Sequence, residues 1–121
     1  MIRVVLVDDQ ALVRGGFRSI LDRQDDMTVV GEAADGAAAV TGALIHRPDL
    51  AILDVAMPSL SGLEVTRALR ERMITFPVIL LTARARESDV REGGAAGADA
   101  YITKPFSPQE LELRVRDLAH V

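Results

Sequence analysis

Cysteine is absent from the 121-residue chain. Its absence excludes disulfide bonds, thiolate metal sites and cysteine nucleophiles, and it fits a reducing compartment. Long apolar runs are absent as well, because the first one ends at Asp8 and is too short for a signal-peptide core or a membrane span. The sequence therefore predicts a cytoplasmic protein without membrane contact.

An excess of positive charge is also missing. The formal net charge is -4, the isoelectric point is about 5.1, and the arginines are spread along the chain. Proteins that bind DNA through its phosphates are usually basic on at least one face, so nucleic-acid binding by this chain is not expected. The length fits one globular domain over residues 1–121, and the sequence contains no repeat, low-complexity tract or linker.

Five short apolar runs predict β-strands. The first, third and fourth are nearly continuous Val, Ile and Leu, which is typical of strands buried on both faces of a parallel sheet. The second resembles an edge strand and the fifth is weaker. The runs are Val4–Val7, Met27–Val30, Leu50–Leu53, Val78–Leu81 and Ala100–Ile102.

Helical patterns separate these runs. Helix N-caps are predicted at Asp35, and at Ser61 and Ser107, which each open a Ser-x-x-Glu capping box. A fourth helix is expected near Glu87–Ala96, weakened by a pair of glycines. The first helix has an apolar stripe formed by Leu12, Val13, Phe17, Ile20 and Leu21. Five β-α units with right-handed crossovers predict an α/β fold, a doubly wound five-stranded parallel sheet between two layers of helices.

Polar residues follow four of the five predicted strands. Asp8 and Asp9 follow the first, Asp54 the third, Thr82 the fourth and Lys104 the fifth. Taken singly, each has a structural interpretation as a helix cap, a turn residue, a strand end or a surface charge. Ligands of open parallel sheets bind beyond the carboxyl ends of the strands, so we expect these residues to meet at one edge. Their agreement favours a functional site.

Three adjacent carboxylates need neutralisation, and Lys104 supplies only one positive charge. Hard oxygen ligands without cysteine favour Mg2+, or Mn2+, over zinc. Mg2+ commonly combines one or two carboxylates with waters and phosphate oxygens. The set is therefore typical of phosphoryl transfer, in which a carboxylate can act as the nucleophile and form an acyl phosphate.

Four motifs in this chain resemble those of bacterial response-regulator receiver domains, and the likeness extends over essentially the whole length. The motifs are Val7–Gln10, Asp54–Pro58, Leu81–Ala83 and Tyr101–Phe106. The resemblance implies a flavodoxin-like fold with strand order 2-1-3-4-5.

The resemblance also implies roles for single residues. Asp54 corresponds to the acceptor of a phosphoryl group from a sensor histidine kinase. Asp8, Asp9, Asp54 and the backbone carbonyl of Ala56 correspond to the Mg2+ ligands. Lys104 corresponds to a lysine that binds a phosphoryl oxygen, and its peptide bond to the following proline is expected to be cis.

The resemblance assigns the conformational switch to two side chains. Thr82 corresponds to the switch hydroxyl and Tyr101 to the switch aromatic. In the family, side chains at the positions of Ala56 and Arg84 tune the lifetime of the phosphorylated state, which the sequence leaves open.

Two parts of the chain resemble different branches of the family. Residues 9–14 and 30–33 resemble LuxR-type (NarL/FixJ) regulators, whereas residues 104–108 resemble the OmpR/PhoB branch. We favour the LuxR-type branch, and we expect a longer transcription regulator whose C-terminal helix-turn-helix domain is absent from this chain and makes any contact with DNA. The alternative is a stand-alone receiver that acts through protein-protein contacts. Dimerisation on phosphorylation is left open.

Three other functions fit the sequence less well. A haloacid-dehalogenase-like phosphatase would place a second Asp two residues after the nucleophile, where this chain has Ala56. A nucleotide- or flavin-binding domain would need a Gly-rich loop after a strand, and none is present. A pseudo-receiver would lack part of the acidic set, whereas this chain has all three acids. His46 and His120 lie far from the expected site, so a histidine phosphoacceptor is not expected. The resemblance implies a phosphoacceptor on Asp54 and not an enzyme with turnover.

Overall fold

The computed structural model describes residues 1–57, 60–83 and 87–119 and, within these, all side chains except those of residues 44 and 87–90. Strands and helices alternate along this part of the chain. The strands are β1 Ile2–Val7, β2 Met27–Ala33, β3 Leu50–Asp54, β4 Val78–Thr82 and β5 Ala100–Thr103. The helices are α1 Ala11–Asp22, α2 Gly36–His46, α3 Gly62–Glu71, α4 Glu87–Ala96 and α5 Pro108–Ala119.

The strands form one parallel sheet in the order β2-β1-β3-β4-β5, which confirms the predicted fold and topology. Every residue of β3 and β4 is buried, as the continuous apolar runs predict. Helices α1 and α5 cover one face of the sheet through Phe17, Leu21, Leu111 and Val115. Helices α2 and α3 cover the other face through small and branched side chains. Each fully buried Val, Leu or Ile contributes roughly 1.5–3 kcal/mol, so these two layers hold the strand ends in place.

Two features of the fold differ from the sequence prediction. Strand β2 continues past Val30 to Ala33, with a register shift opposite β1 between Val4 and Val5. Leu12 does not join the apolar stripe of α1, since the residue is 91% exposed. The stripe that faces the sheet has helical spacing from Val13 onward, and Leu12 lies beside it.

Side-chain caps start the helices where the sequence places them. Asp35 accepts a hydrogen bond from the Ala38 N–H at 2.8 Å, and Ser61 forms a reciprocal capping box with Glu64. The Ser107 hydroxyl accepts from the Glu110 N–H at 3.1 Å. Each such cap contributes about 1 kcal/mol. Among the described residues, no helix is both long enough and apolar enough to cross a membrane.

Candidate functional site

The carboxyl ends of the strands bring the predicted acids together. Asp8 follows β1 and Asp54 ends β3, and both side chains are buried, whereas Asp9 is exposed. One carboxylate oxygen from each of these three acids lies within 4.8 Å of the others. A group of this size and composition can hold one small divalent cation.

Neither acid after β1 caps the next helix. Helix α1 has Gln10 at its N-cap position, and this residue makes no side-chain capping bond. Instead, the Gln10 N–H donates to Asp8 Oδ1 at 2.9 Å. The structural interpretation of this pair as a helix cap is therefore wrong, and both carboxylates face the cluster.

Asp54 is oriented by contacts on both of its oxygens. The Ala56 N–H donates to Oδ1 at 3.2 Å, and Lys104 Nζ lies 3.6 Å from Oδ2. Lys104 is in turn fixed at its backbone, because its N–H donates to the Thr82 carbonyl at 2.6 Å. The Lys104–Pro105 peptide bond is cis, as expected. The arrangement gives the buried Asp54 carboxylate one protein cation and one backbone donor.

Asp8 is short of partners in the folded domain. Its Oδ2 is buried and finds no hydrogen-bond partner among the described residues. Burial raises the pKa of Asp8, and the negative charge of Asp54 raises it further, while the Gln10 N–H and Lys104 act in the opposite direction. A buried, unpaired carboxylate oxygen costs free energy. Three clustered carboxylates, one with an unpartnered oxygen, fit Mg2+ or Mn2+ by their hard-oxygen chemistry.

The raised pKa of Asp8 predicts how metal-free stability depends on pH. The folded protein binds this proton more readily than the unfolded chain does. The stabilising contribution of Asp8 is therefore fully present below its ordinary pKa of 3.8 and is lost as pH rises through the raised folded-state value. In EDTA, we expect Asp8→Asn to be more stable than wild type at neutral pH, with a difference that shrinks as the solution is acidified. Urea unfolding of both proteins across this range measures the difference, and a gap that widens on acidification would contradict it.

The two predicted switch residues line one cavity. It has a volume of about 330 Å³, and its walls include Ala56, Leu63, Thr82, Glu92 and Tyr101. Thr82 is buried, and the Tyr101 ring is half-buried. The structure thus leaves space between the end of β4 and the ring on β5.

One of the two glycines of α4 has a packing reason. A Cβ built at Gly93 would lie 2.9 Å from Cδ2 of Tyr101, whereas one at Gly94 would meet nothing within 4 Å. Glycine at position 93 therefore lets α4 approach the aromatic ring. A side chain would be obstructed at position 93 but not at position 94, and the sequence alone does not distinguish the two glycines.

Other residues named from the sequence lie away from the acids or serve packing. His46 is the last residue of α2, and its carbonyl accepts from Arg3 Nη2 at 2.8 Å. Met57 is buried in the core, and the Phe106 ring stacks on Phe17 with 5.4 Å between centroids. Pro58, Arg84 and His120 lie outside the described residues.

Two residues that support the site were not singled out from the sequence. A Cβ at Gly62 would lie 2.5 Å from the Asp54 carbonyl oxygen, so only glycine fits the start of α3 against the end of β3. Arg14 Nη1 donates to the Asp8 carbonyl oxygen at 2.6 Å. A glycine after a capping Ser and an arginine near the start of a helix are common, so neither carries a recognisable signal.

Comparison with known proteins finds similar sequences and similar folds that cover nearly the whole chain. Residues 4–116 match the response regulator receiver domain family. ResD, a transcriptional regulatory protein of Bacillus subtilis, is 41% identical over 116 residues, which cover 96% of this chain and 47% of ResD. The chain spans about half the length of the curated relatives it matches.

Solved structures give the same result. The signal receiver domain of NarL from Mycobacterium tuberculosis superimposes with a TM-score of 0.94 at 35% identity, covering 98% of this chain and 96% of that one. A LuxR-family response regulator from Aurantimonas has a TM-score of 0.94 at 30% identity, covering 99% and 86%. Regulators of the LuxR type, the branch favoured by the sequence, are thus among the similar structures.

Proposed function

Because the chain belongs to the family of response regulator receiver domains, we propose that Asp54 accepts a phosphoryl group from a sensor histidine kinase. The observation that supports this best is the setting of the Asp54 carboxylate. It ends a central strand, faces Lys104 Nζ at 3.6 Å, and lies within 4.8 Å of oxygens from two further acids. Domains of this family are signalling proteins and are generally not enzymes.

In the proposed reaction, a carboxylate oxygen of Asp54 attacks the phosphorus atom of a phosphohistidine. A P–O bond forms and the P–N bond breaks, and the electron pair of the broken bond stays on the imidazole nitrogen. A proton on the ring lets it leave as neutral imidazole, and the product is an acyl phosphate on Asp54. The Ala56 N–H and Lys104 orient the carboxylate before the attack, and positioning of this kind supplies much of the catalysis in phosphoryl transfer.

We assign the divalent cation to the carboxylates of Asp8, Asp9 and Asp54 and to the backbone carbonyl of Ala56. Mg2+, or Mn2+, when bound there would neutralise charge on the phosphoryl oxygens. The buried Asp8 Oδ2, which has no hydrogen-bond partner among the described residues, supports this assignment. Lys104 supplies the second positive charge on the side of Asp54 Oδ2 and binds a phosphoryl oxygen.

The switch follows from the charge that phosphorylation adds. A phosphoryl group carries negative charge and strong acceptor oxygens. The Thr82 hydroxyl donates to one of them, and the Tyr101 ring turns into the cavity that both residues line. Helix α4 shifts with the ring, because Gly93 lies against it. The phosphoryl group thereby biases an equilibrium between two conformations.

The relatives also indicate what the phosphorylated domain controls. We propose that the domain controls transcription through a C-terminal helix-turn-helix domain, because ResD, a transcriptional regulatory protein, is about twice the length of this chain. DNA contact would be made by that second domain, and phosphorylation would favour a homodimer. We also propose that the protein is cytoplasmic. A receiver that acts only through protein-protein contacts is the alternative.

The first experiment incubates the domain with acetyl phosphate and Mg2+ and measures its intact mass. We expect the mass to increase by a single phosphoryl group, and we expect no increase in EDTA, because the acids then lack their cation. An unchanged mass with Mg2+ present would contradict the proposal. Sustained hydrolysis of unrelated phosphoesters would instead favour the phosphatase alternative.

A further inference from the structure

Arg14 makes a direct contact with the backbone of the cation site. Its Nη1 donates to the Asp8 carbonyl oxygen at 2.6 Å, and its side chain is only 16% exposed. The arginine lies on the first turns of α1, which begins at Ala11, two residues after Asp9. A guanidinium is a rigid, planar donor, so this contact fixes the direction of the carbonyl it binds.

Glu32 on β2 holds the arginine in place. Arg14 Nε lies 3.3 Å from Glu32 Oε1, and Glu32 Oε2 accepts from Arg18. The contact of Arg14 does not depend on Arg18, because the two arginines bind different oxygens of Glu32. Because its carboxylate offsets the charge of Arg14, the arginine acts on the acids mainly through geometry.

The peptide between Asp8 and Asp9 determines where both carboxylates point. Asp8 is fixed on its other side by its own N–H, which donates to the Ala33 carbonyl at 3.1 Å. Its carboxylate is fixed by the Gln10 N–H at 2.9 Å. The Asp8 carbonyl oxygen accepts from Arg14, and this contact restrains rotation of the Asp8–Asp9 peptide plane.

We infer that Arg14 is a positioning residue for the cation site. It restrains the Asp8–Asp9 peptide, and Glu32 on the edge strand β2 holds the arginine in place. This inference rests on the proposed function. Residues that orient metal ligands typically change metal affinity by about 10–100-fold when they are replaced. Arg14 therefore belongs to the site although it is not among the residues assigned to bind the cation or the phosphoryl group.

The test compares Arg14→Met with Arg18→Met. Arg18 is a matched control, because it binds the same Glu32, whereas its hydrogen bonds and ion pairs among the described residues do not reach Asp8. Titration calorimetry with Mg2+ is expected to show about a tenfold weaker affinity for Arg14→Met and an affinity within about twofold of wild type for Arg18→Met. With acetyl phosphate, Arg14→Met should need more Mg2+ for half-maximal uptake but reach the same final extent of phosphorylation.

Each outcome separates this inference from the proposed function. If wild type binds Mg2+ and is phosphorylated but Arg14→Met matches it, or if Arg18→Met loses as much affinity, the positioning role is overturned. If wild type neither binds Mg2+ nor gains a phosphoryl group, the proposed function itself fails and the inference fails with it. Thermal unfolding in EDTA verifies that the variants fold. Should Arg14→Met not fold, Arg14→Gln replaces it, because its shorter side chain removes the guanidinium that bridges the Asp8 carbonyl and Glu32, and an affinity equal to wild type would overturn the role.

Discussion

Asp54→Asn is expected to gain no measurable phosphoryl group from acetyl phosphate and Mg2+, a loss of roughly three orders of magnitude or more in rate. The amide oxygen of asparagine is uncharged and a poor nucleophile, so no acyl phosphate can form. The fold should persist, because the new side chain has the same shape and its oxygen can still accept from the Ala56 N–H. Time-resolved intact mass spectrometry measures the rate.

Asp49→Asn is the matched control for this variant. Asp49 directly precedes β3, at the opposite end of the strand from Asp54, and its carboxylate accepts from the Arg3 N–H at 2.8 Å. We expect it to be phosphorylated at the wild-type rate. Phosphoryl uptake by Asp54→Asn at that same rate would place the acceptor on another residue, and loss of uptake in Asp49→Asn would point to a general effect on folding.

Gly62→Ala is expected to lower the free energy of unfolding by about 2–3 kcal/mol. The added Cβ would lie 2.5 Å from the Asp54 carbonyl oxygen and 3.0 Å from its carbonyl carbon. Both are backbone atoms of a buried central strand and cannot move aside as a flexible side chain would. Relief of the clash must displace either α3 or the end of β3, and urea unfolding in EDTA measures the cost.

Gly16→Ala provides the opposite expectation for the same chemical change. A Cβ at Gly16 would meet nothing within 4 Å, and the residue lies inside α1. Alanine there should stabilise the domain by about 0.5–1 kcal/mol, because glycine is a poor helix former. Equal effects at the two positions would show that the approach of α3 to Asp54 is not a constraint.

Much of the fold follows from the local pattern of residues. The continuous Val, Ile and Leu runs of β3 and β4 predict buried central strands, and the structure confirms them. The polar residues at the strand ends follow from the same pattern, since parallel strands place their carboxyl ends at one edge. Strand order is not contained in these patterns and came from the resemblance to receiver domains.

Other features depend on tertiary contacts that no local pattern encodes. The apolar run of β2 is interrupted after Val30 by Gly31 and Glu32, yet pairing with β1 continues the strand to Ala33. The contact of Arg14 with the Asp8 carbonyl depends on how α1 packs, and the constraint on Gly62 depends on the approach of α3. In each case the partner is distant in sequence or defined only by packing, so the residue type alone does not predict it.

The ion pair between Lys104 and Asp54 also contains a side chain that can be modified selectively. Lys104 is the only lysine in the chain, and the other 13 of its 14 Lys and Arg residues are arginines, which reagents selective for primary amines do not acylate. The single side-chain amine is one-third exposed and lies 3.6 Å from the Asp54 carboxylate. Acylation of that amine would therefore modify one side chain and leave the three clustered acids without the lysine's countercharge.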